Sequence, residues 1–334
     1  MKKIRIIAAV FIFLTLALGA CARAEQSVQT LTIMTHDSFN ISEEVVKVFE
    51  QENGVTLIFV KSGDAGAALN RAILTKKLPQ ADVFYGVDNT FLSRAIEEEI
   101  FEPYTSPLLS NVDDQFLTGT AGVATPIDYG DVCINYDVAW FSARNLPVPA
   151  SLDDLLKPDF KDLLVVENPA TSSPGLAFML ATIAEYGEPG YLDYWQGLRA
   201  NGAVVVNDWN TAYYTNFSGS SGRGLQPLVV SYASSPAAEV IFAAEPLNAA
   251  PTASIIGRNT CFRQIEYAGI LKGTRELGLA QKFIDFMLDI RFQQDLPLQN
   301  FVYPVNKNAV IPPEFTQYAQ VPAEPANLAP ELIA

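Results

Sequence analysis

The sequence predicts an α/β fold with two lobes, and three observations carry this prediction. From residue 30 onward, short apolar strands alternate with amphipathic helices across short links, which favours parallel strands joined by right-handed crossovers. The same alternation begins again near residue 130, after a polar stretch. The chain has 334 residues, a length that suffices for about two domains.

The first lobe begins with a strand over 31–34, followed by a helix whose N-cap we predict at Asn40. Glu43 then occupies the third helical position, and Gly54 ends the helix. The apolar periodicity of the next segments predicts a strand over 55–60, a helix over 64–77, a strand over 81–85 and a helix over 90–99.

The second lobe repeats this order of elements. Strands are predicted over 130–135, 163–166, 203–206 and 228–232, and helices over 174–186, 191–200 and 237–243. A long strand over 262–271 precedes a helix that buries Leu279, Phe283, Phe286 and Met287. We expect a flexible surface loop over 219–224. Beyond residue 308 the chain is rich in proline and alanine, so it is expected to run over the surface or fray.

The composition excludes several classes of protein. Hydrophobic residues make up 49% of the chain and charged residues 18%, as in a folded globular protein. Because 37 Asp and Glu outnumber 22 Lys and Arg, the net charge is -15, and we expect no nucleic-acid partner. One histidine, His36, and three cysteines are too few for a His-rich metal cluster or an all-cysteine zinc site.

No pattern typical of catalysis is found. A Ser-His-Asp triad would have to use His36, and the sequence contains no G-x-S-x-G turn. Gly222 and Gly224 lack the strand, helix and third glycine of a dinucleotide site. The sequence therefore predicts neither an enzyme nor a cofactor. A lipid-tethered secreted hydrolase is the alternative, although no two of the 37 acids stand out as a catalytic pair.

The N-terminus predicts export. Three basic residues precede an apolar run over 6–18 that is too short to span a bilayer. Residues 1–20 are therefore expected to be a signal peptide. Small residues stand directly before Cys21 and resemble a bacterial lipoprotein box, which implies a lipid on Cys21 and a tether over 21–29. The protein is then anchored to the cell membrane and faces the exterior or the periplasm. The alternative is a plain signal peptide that is cut slightly further on.

The two other cysteines, Cys133 and Cys261, are expected to form a disulfide. Outside the cytosol two thiols are more often bonded than free, and a metal site or a nucleophile is a weaker interpretation. The bond requires their Cα atoms to lie within about 7 Å of each other.

Two helix starts are candidates for a binding site. Ser173 is predicted as an N-cap followed by Pro174, and Ser234 and Ser235 repeat the arrangement before another proline. In a parallel sheet such helix starts lie at the carboxyl edge of the strands, where α/β proteins bind ligands, and their N–H groups could hold an anion or a hydroxyl. Ordinary capping is the alternative.

Aromatic residues near strand ends are a second set of candidates. Trp209, Tyr232, Phe301 and Tyr303 lie at such ends or in loops, where rings more often line ligands than at positions inside an element. A cation stacked on a desolvated ring gains about 0.5–2 kcal/mol. Three acids follow strands of the first lobe and could face the same crevice, although each could equally be a helix cap or a turn residue: Asp37, Asp64 and Asp88.

Several short segments, taken in order, carry a resemblance to a known family. They are 35–39 (THDSF), 64 with 69–71 (LNR), 81–83 (ADV) with 86–89 (GVDN), 126–130 (PIDYG), 169–176 (PATSSPGL), 231–236 (SYASSP) and 303–305 (YPV). This set resembles the thiamine-binding lipoproteins and periplasmic proteins of ABC importers. The resemblance runs from about residue 31 to residue 305.

The resemblance implies a type II periplasmic-binding-protein fold, in which two α/β lobes joined by crossing strands close over a ligand. Lobe 1 would comprise residues 30–129 plus 265–300 and lobe 2 residues 130–264, with 301–334 as a crossing segment and C-terminal tail. The implied protein is a monomer that captures thiamine or its phosphates and delivers them to ABC permease subunits. The crossing strands would bring the cysteine pair close to the hinge.

By the same resemblance, ligand contacts fall on residues of both lobes: Asp64, Ala65, Ser172, Ser173, Trp209, Tyr232, Ala233, Ser234 and Ser235. The family commonly has a tyrosine at the position of His36 and a tryptophan at that of Phe301, so both side chains are expected to keep a flat ring at the ligand. Fe(III), a polyamine or a phosphonate is the alternative ligand within this fold. The pair Tyr213 and Tyr214 is the one feature that favours iron.

Overall fold

A computed structural model describes residues 29–117, 120, 122–326, 328 and 330–333. The predicted signal peptide, Cys21 and the tether up to residue 28 lie outside these residues. Within them, no helix is long and apolar enough to cross a membrane.

The first part of the chain alternates strands and helices, as its apolar periodicity predicts. Its elements are β1 (Gln29–Thr35), α1 (Glu43–Asn53), β2 (Val55–Lys61), α2 (Ala65–Leu74), β3 (Val83–Asp88), α3 (Leu92–Glu97) and β4 (Phe101–Glu102). The N-cap of α1 is Ser42. The prediction of Asn40 is wrong, because the side chain of Asn40 donates to Gln299 and its N–H donates to Asn300.

The middle of the chain adds a second set of strands and helices. They are β5 (Thr125–Asp137), α4 (Val138–Arg144), β6 (Leu164–Glu167), α5 (Ser173–Tyr186), α6 (Gly190–Ala200), β7 (Val204–Val206), a π-helical segment (Thr211–Asn216), α7 (Ser218–Ser221), β8 (Leu228–Tyr232), α8 (Ser235–Ile241) and β9 (Thr252–Ile255). Short 3₁₀ turns fall at Pro107–Asn111, Asp114–Phe116, Asp153–Leu156 and Pro158–Phe160. β8 has the bounds that the sequence predicts.

The last part of the chain returns to the first half of the molecule. Its elements are β10 (Phe262–Leu271), α9 (Leu277–Leu288), α10 (Ile290–Gln293), α11 (Leu296–Gln299), β11 (Tyr303–Pro304), α12 (Pro313–Tyr318) and α13 (Pro330–Ile333). The prediction that α9 buries four apolar side chains is confirmed. These side chains join the same core as Leu31 of β1 and Phe49 of α1.

Across the described residues, eleven strands form one sheet. Eight of them follow the order β2-β1-β3-β10-β5-β8-β6-β7, while β4 pairs with β10, and β9 and β11 pair with β5. β1 pairs in parallel with β2 and β3, and β6 pairs in parallel with β7 and β8. The long strands β5 and β10 lie between these two parallel groups and pair antiparallel with each other. We call the two sides of the sheet the β1–β3 half and the β6–β8 half.

A disulfide near the centre of the sheet joins β5 to the residue that precedes β10. Cys133 lies where β5 passes from pairing with β10 to pairing with β8. Its sulfur is bonded to that of Cys261, just before β10, and the two Cα atoms are 4.2 Å apart. Both cysteines are buried.

One segment differs from the sequence-based expectation, and a second follows one of its two alternatives. The stretch over 219–224 contains part of α7, and its Gly224 lies so close to the backbone that a Cβ there would collide with the carbonyl oxygen of Asn216. The proline-rich tail is packed in part, because Phe315 is buried against Tyr303 and the N–H of Ala326 donates to the carbonyl of Cys261 at 2.7 Å. Proline alone therefore does not predict fraying here.

Candidate ligand-binding site

A cavity of about 90 Å³ lies between the two halves of the sheet, beside β5 and β10, which we call the crossing strands. Its lining comes from the loops after β1 and β2, the starts of α5 and α8, the π-helical segment, β8, β10 and the segment after α11. The lining residues are His36, Ser38, Asp64, Ala65, Ser173, Pro174, Trp209, Asn210, Tyr214, Tyr232, Ser235, Gln264, Glu266, Asn300, Phe301 and Val302. In this set, all of which the structure describes, there is no Lys or Arg.

The β6–β8 half contributes the aromatic part of the lining. Trp209 stacks on Tyr213 with ring centroids 4.9 Å apart, and its indole N–H donates to the Ser231 hydroxyl at 2.9 Å. Tyr232 lies edge-on to Trp209 at 6.4 Å and its hydroxyl donates to Gln264 at 3.1 Å. The polar atoms of both rings are thus satisfied by the protein, which leaves their remaining ring surface for a ligand.

The two helix starts lie at the cavity, but their capping differs from the prediction. Ser172 is the N-cap of α5 and Ser173 its first residue, since the carbonyl of Ser172 already accepts a helical N–H. Ser234 holds the same position ahead of α8. Neither N-cap side chain accepts from its helix, and Ser235 shares a hydrogen bond with Ser231 at 2.9 Å. The hydroxyls of Ser173 and Ser235 therefore belong to the cavity lining and do not cap the helices.

Asp64 connects the two halves. It is the N-cap of α2, where one carboxylate oxygen accepts from the N–H of Ala65 at 2.8 Å and the other accepts from the N–H of Trp209 at 3.1 Å. A second link joins the N–H of Gly66 to the carbonyl of Thr171 at 3.1 Å. Burial raises the pKa of Asp64, and the Ser172 hydroxyl and the two N–H groups oppose that increase.

His36 packs into the floor of the cavity as a neutral ring. It lies 5.8 Å from the ring of Tyr85 and its Nε2 is 3.5 Å from a carboxylate oxygen of Glu266. The ring fits because Gly86, with φ of 103°, has no Cβ, and a Cβ would meet the imidazole at 2.5 Å. Burial, and secondarily the charge of Lys61, lowers the pKa of His36 to about 4.

Three buried carboxyls lie side by side on adjacent strands near His36. We call them the carboxyl row: Asp88 of β3, Glu266 of β10 and Asp128 of β5. The strand register pairs Glu266 with Asp88 on one side and with Asp128 on the other. The Tyr85 hydroxyl donates to Asp128 at 2.6 Å and contacts Glu266 at 3.3 Å. Burial raises the pKa of Asp88 to about 6, that of Asp128 to about 7 and that of Glu266 well above its usual range.

The structure brings eight of the predicted site residues together in one cavity lining. They are His36, Asp64, Ala65, Ser173, Trp209, Tyr232, Ser235 and Phe301. Three predicted residues are buried outside that lining, namely Ser172, Ala233 and Ser234. Ala233 packs against the disulfide, and its N–H donates to the carbonyl of Asp131. Of the other candidates, Tyr303 stacks on Tyr129 and Asp37 accepts from the N–H of Gly63.

Two residues that were not predicted, Gln264 and Glu266, line the cavity from β10. A signal was present, because these two polar residues alternate within a strand that is otherwise largely apolar and buried. Asn210 and Tyr214 were also missed as cavity residues, since a π-helical turn places them at the lining and such turns have no clear sequence pattern.

The tyrosine pair that would favour iron is not arranged to bind it jointly. Tyr214 lines the cavity, whereas Tyr213 is buried behind Trp209 and donates its hydroxyl to Glu239 at 2.8 Å. Among the residues with described positions, no group of three or more His, Cys, Asp or Glu side chains could hold a metal ion.

Comparison with known families gives one match over most of the chain. Residues 79–323 match the family described as bacterial extracellular solute-binding proteins. The chain is 30% identical over 322 residues to the thiamine-binding periplasmic protein of Salmonella typhimurium, which covers 94% of this chain and 92% of that protein. It is also 30% identical over 309 residues to the protein of the same name from Escherichia coli, with 91% and 89% covered.

A solved structure is similar over nearly the whole fold. It is described as a periplasmic thiamin binding protein, with a TM-score of 0.79, 28% identity and 91% of each chain covered. The sheet order and the placement of the cavity agree with the type II fold of periplasmic binding proteins. The predicted fold class is confirmed.

Proposed function

Because this chain belongs to the bacterial extracellular solute-binding proteins, we propose that it captures thiamine outside the cytoplasm and delivers it to an ABC permease. Its family consists of proteins that bind solutes for transport. Relatives that share 30% identity over about nine-tenths of the chain are named for thiamine binding. A cavity between two halves of a sheet is the kind of site at which such a protein would enclose its ligand.

The observation that carries this proposal is the composition of the cavity lining. The lining combines the aromatic rings of Trp209, Tyr214 and Tyr232 with the carboxylates of Asp64 and Glu266, and no Lys or Arg lies in the lining that the structure describes. Thiamine is a flat cation with a hydroxyl tail. Ring faces, carboxylates and hydroxyls are the groups that such a molecule requires.

We assign the ligand contacts as follows. Trp209 and Tyr232, with Phe301 and His36, would hold the rings of thiamine. The hydroxyls of Ser173 and Ser235 would take its hydroxyl group or a phosphate at the helix starts. Asp64 would offset the positive charge or accept from the pyrimidine amine. Ser172, Ala233 and Ser234 lie behind these residues and would act through their positions.

We further propose that lobe 1 (30–129 plus 265–300) and lobe 2 (130–264) close over the ligand, with residues 301–334 crossing between them. Apolar cores on each side of the crossing strands support this division. The links from Asp64 to Trp209 and from Gly66 to Thr171 join the two halves at the cavity. Such links favour the closed form, and a ligand that adds contacts to both walls would favour it further.

Transport also requires a place outside the cytoplasm. We propose that residues 1–20 are removed, that Cys21 carries a lipid which anchors a monomeric protein to the membrane, and that permease subunits recognise the closed form. Replacing Cys21 with Ser should release the protein into the soluble fraction. Radiolabelled palmitate incorporation before and after this change would measure it, and equal labelling of both proteins would exclude the anchor at this residue.

Calorimetric titration tests the central proposal. The chain from residue 22 onward is titrated with thiamine, its monophosphate and its diphosphate, and separately with ferric citrate and spermidine. We expect saturable binding of thiamine and none of ferric citrate. Binding of ferric ion with a visible charge-transfer band, without binding of thiamine, would overturn the proposal in favour of iron. Tight spermidine binding without thiamine binding would favour a polyamine.

A further inference from the structure

The carboxyl row is electrostatically incomplete in the protein alone. Asp88, Glu266 and Asp128 are almost fully buried on three adjacent strands. Carboxylates placed opposite each other across strands repel, and buried charges require a partner. Among the described residues, the one basic side chain within ion-pair distance of the row is His36. That imidazole is neutral at ordinary pH, because burial lowers its pKa to about 4.

The hydrogen bonding within the row requires a proton. Asp128 and Glu266 lie opposite each other in the strand register, and the Tyr85 hydroxyl approaches both, at 2.6 Å and 3.3 Å. Two buried carboxyls this close repel unless one of them is protonated and can donate to the other. Oδ1 of Asp128 is buried and accepts from no N–H or hydroxyl group of the described residues. The hydroxyl of Tyr85 donates to the other carboxylate oxygen of Asp128, Oδ2. The pair therefore stores a proton next to the cavity.

Only Glu266 of these three carboxyls reaches the cavity lining. It lies there with Gln264, which is two residues earlier on the same face of β10 and accepts from Tyr232. A cation that rests on the aromatic rings of this lining would share the cavity with the Glu266 carboxylate, in a site from which water is largely removed. The attraction between opposite charges is strongest in such surroundings.

We propose that Glu266 is the counter-charge that selects a positively charged ligand, and that the proton shared with Asp128 leaves to solvent when the ligand binds. The inference rests on the proposed function, because it concerns the same cavity. The ligand cation takes the place of the proton, so the charge of the buried cluster is balanced in both states. Binding then releases up to one proton per ligand, and ligand affinity rises with pH.

The sign of the pH dependence follows from all groups that face Glu266. Asp88 and Tyr85 from β3, Asp128 from β5 and Tyr232 from β8 face it as neutral or acidic groups, and His36 faces it as a neutral base. Burial holds the pKa of Asp128 at about 7. Because burial and the neighbouring Asp128 also raise the pKa of Glu266 well above its usual range, the pair keeps one proton after the first has been lost. The cation must displace that proton, so affinity increases by up to about tenfold per pH unit until the pair is ionised.

The test compares thiamine with 3-deazathiamine, the neutral isostere in which carbon replaces the charged ring nitrogen. Calorimetry on the same protein in two buffers of different ionisation enthalpy measures the protons released, at pH 6 and at pH 8. We expect thiamine to bind at least about tenfold more tightly than the isostere, to release a proton and to gain affinity with pH. The isostere should release none and show a flat pH profile.

Glu266→Gln keeps the size of the side chain and removes its charge and its proton. We expect this variant to bind thiamine about tenfold or more weakly, to bind the isostere almost as the unaltered protein does, and to release no proton. Asp128→Asn is the second variant, which loses proton release and pH dependence even if the first variant folds poorly. The matched control is Asp285→Asn, because Tyr104 donates to Asp285 at 2.9 Å away from the cavity. Asp285→Asn should retain both proton release and the pH dependence of thiamine affinity.

The outcomes separate the two proposals. If the unaltered protein binds no thiamine, the proposed function is overturned and this inference with it. If it binds thiamine and the isostere with equal affinity, or if Glu266→Gln still releases a proton, then the role of Glu266 is overturned while the proposed function stands.

Discussion

The two walls of the cavity differ in how well the protein alone satisfies them. The aromatic wall, formed by Trp209, Tyr214 and Tyr232, has its indole N–H and the Tyr232 hydroxyl already paired with protein groups. The acidic wall is formed by Asp64 and Glu266, with Asp88 and Asp128 of the carboxyl row behind Glu266. It holds buried acids that no Lys or Arg in the described lining balances.

Because of this difference, the two walls contribute different properties to binding: shape and ring contact on one side and selectivity for charge on the other. Hydrogen bonds and ring contacts within the protein already position the aromatic wall, so it contributes shape and ring contact at little cost in ordering. Without a ligand the acidic wall costs free energy, because its buried carboxyls either keep protons or repel each other. A cation relieves that cost, and the acidic wall thereby contributes selectivity for charge.

The largest expected effect comes from breaking the aromatic wall. Trp209→Ala should lower the free energy of unfolding by about 3–5 kcal/mol, because the ring is buried and stacked on Tyr213. It should also weaken thiamine binding by about tenfold or more through the lost ring face. Urea unfolding and calorimetric titration of the same variant measure the two effects.

Trp195→Ala is the matched control for that variant. Its indole N–H also donates to a hydroxyl, that of Thr182 at 3.0 Å, and its ring packs on Phe178 away from the cavity. It should lose stability and keep its thiamine affinity. Equal loss of affinity in both variants would mean that Trp209 acts only through folding.

A smaller effect is expected at the base of the acidic wall, from His36. Burial lowers its pKa from 6.5 to about 4, so the unfolded chain takes up a proton in this window before the folded protein does. His36 therefore stabilises the fold fully above about pH 6.5, and this contribution is lost as the pH falls towards 4. His36→Phe keeps a flat ring and removes the titration.

The measurement is the difference in unfolding free energy between the unaltered protein and His36→Phe at pH 7 and at pH 4. That difference should change by about 2–3 kcal/mol in favour of the variant at the lower pH. The carboxyl row acts in the opposite sense, since its raised pKa values favour the folded state at low pH, but it is present in both proteins. An unchanged difference would show that His36 is protonated in the fold.

The smallest expected effect concerns the link between the walls. Asp64→Asn keeps a good N-cap for α2, so stability should change by less than about 1 kcal/mol. The variant loses the negative charge and one acceptor for the N–H groups of Ala65 and Trp209. Thiamine affinity should fall by about fivefold.

Titration of this variant beside Asp37→Asn checks the prediction. Asp37 likewise accepts from a backbone N–H, that of Gly63, but lies outside the cavity lining. If both variants bind thiamine as the unaltered protein does, then Asp64 contributes neither charge nor closure.

Much of the site could be predicted because its residues stand at recognisable positions of the chain. Asp64 follows a strand and begins a helix, and Trp209 and Tyr232 lie at or just after strand ends. Ser173 and Ser235 were found from the proline that follows each of them, although their capping positions were shifted by one residue. Local pattern identifies such helix starts well and the exact cap poorly, because cap geometry depends on one dihedral angle.

The rest of the site depends on contacts between distant parts of the chain. Glu266 and Asp128 are separated by more than a hundred residues, and only the pairing of β10 with β5 puts them side by side. The N-cap of α1 shows the same limit. Asn40 is a good capping residue by type, yet α11 and the residue after it supply its hydrogen-bond partners.

The sequence by itself determined the alternation of strands and helices, the apolar face of α9 and half of the residues that line the cavity, because periodicity and turn chemistry are local properties. Tertiary structure alone decided which acids share a proton, which hydroxyls stay out of the lining and how the cysteines meet. These outcomes depend on register and burial, and in a low-dielectric interior a neighbour a few ångströms away determines the charge that a side chain can keep.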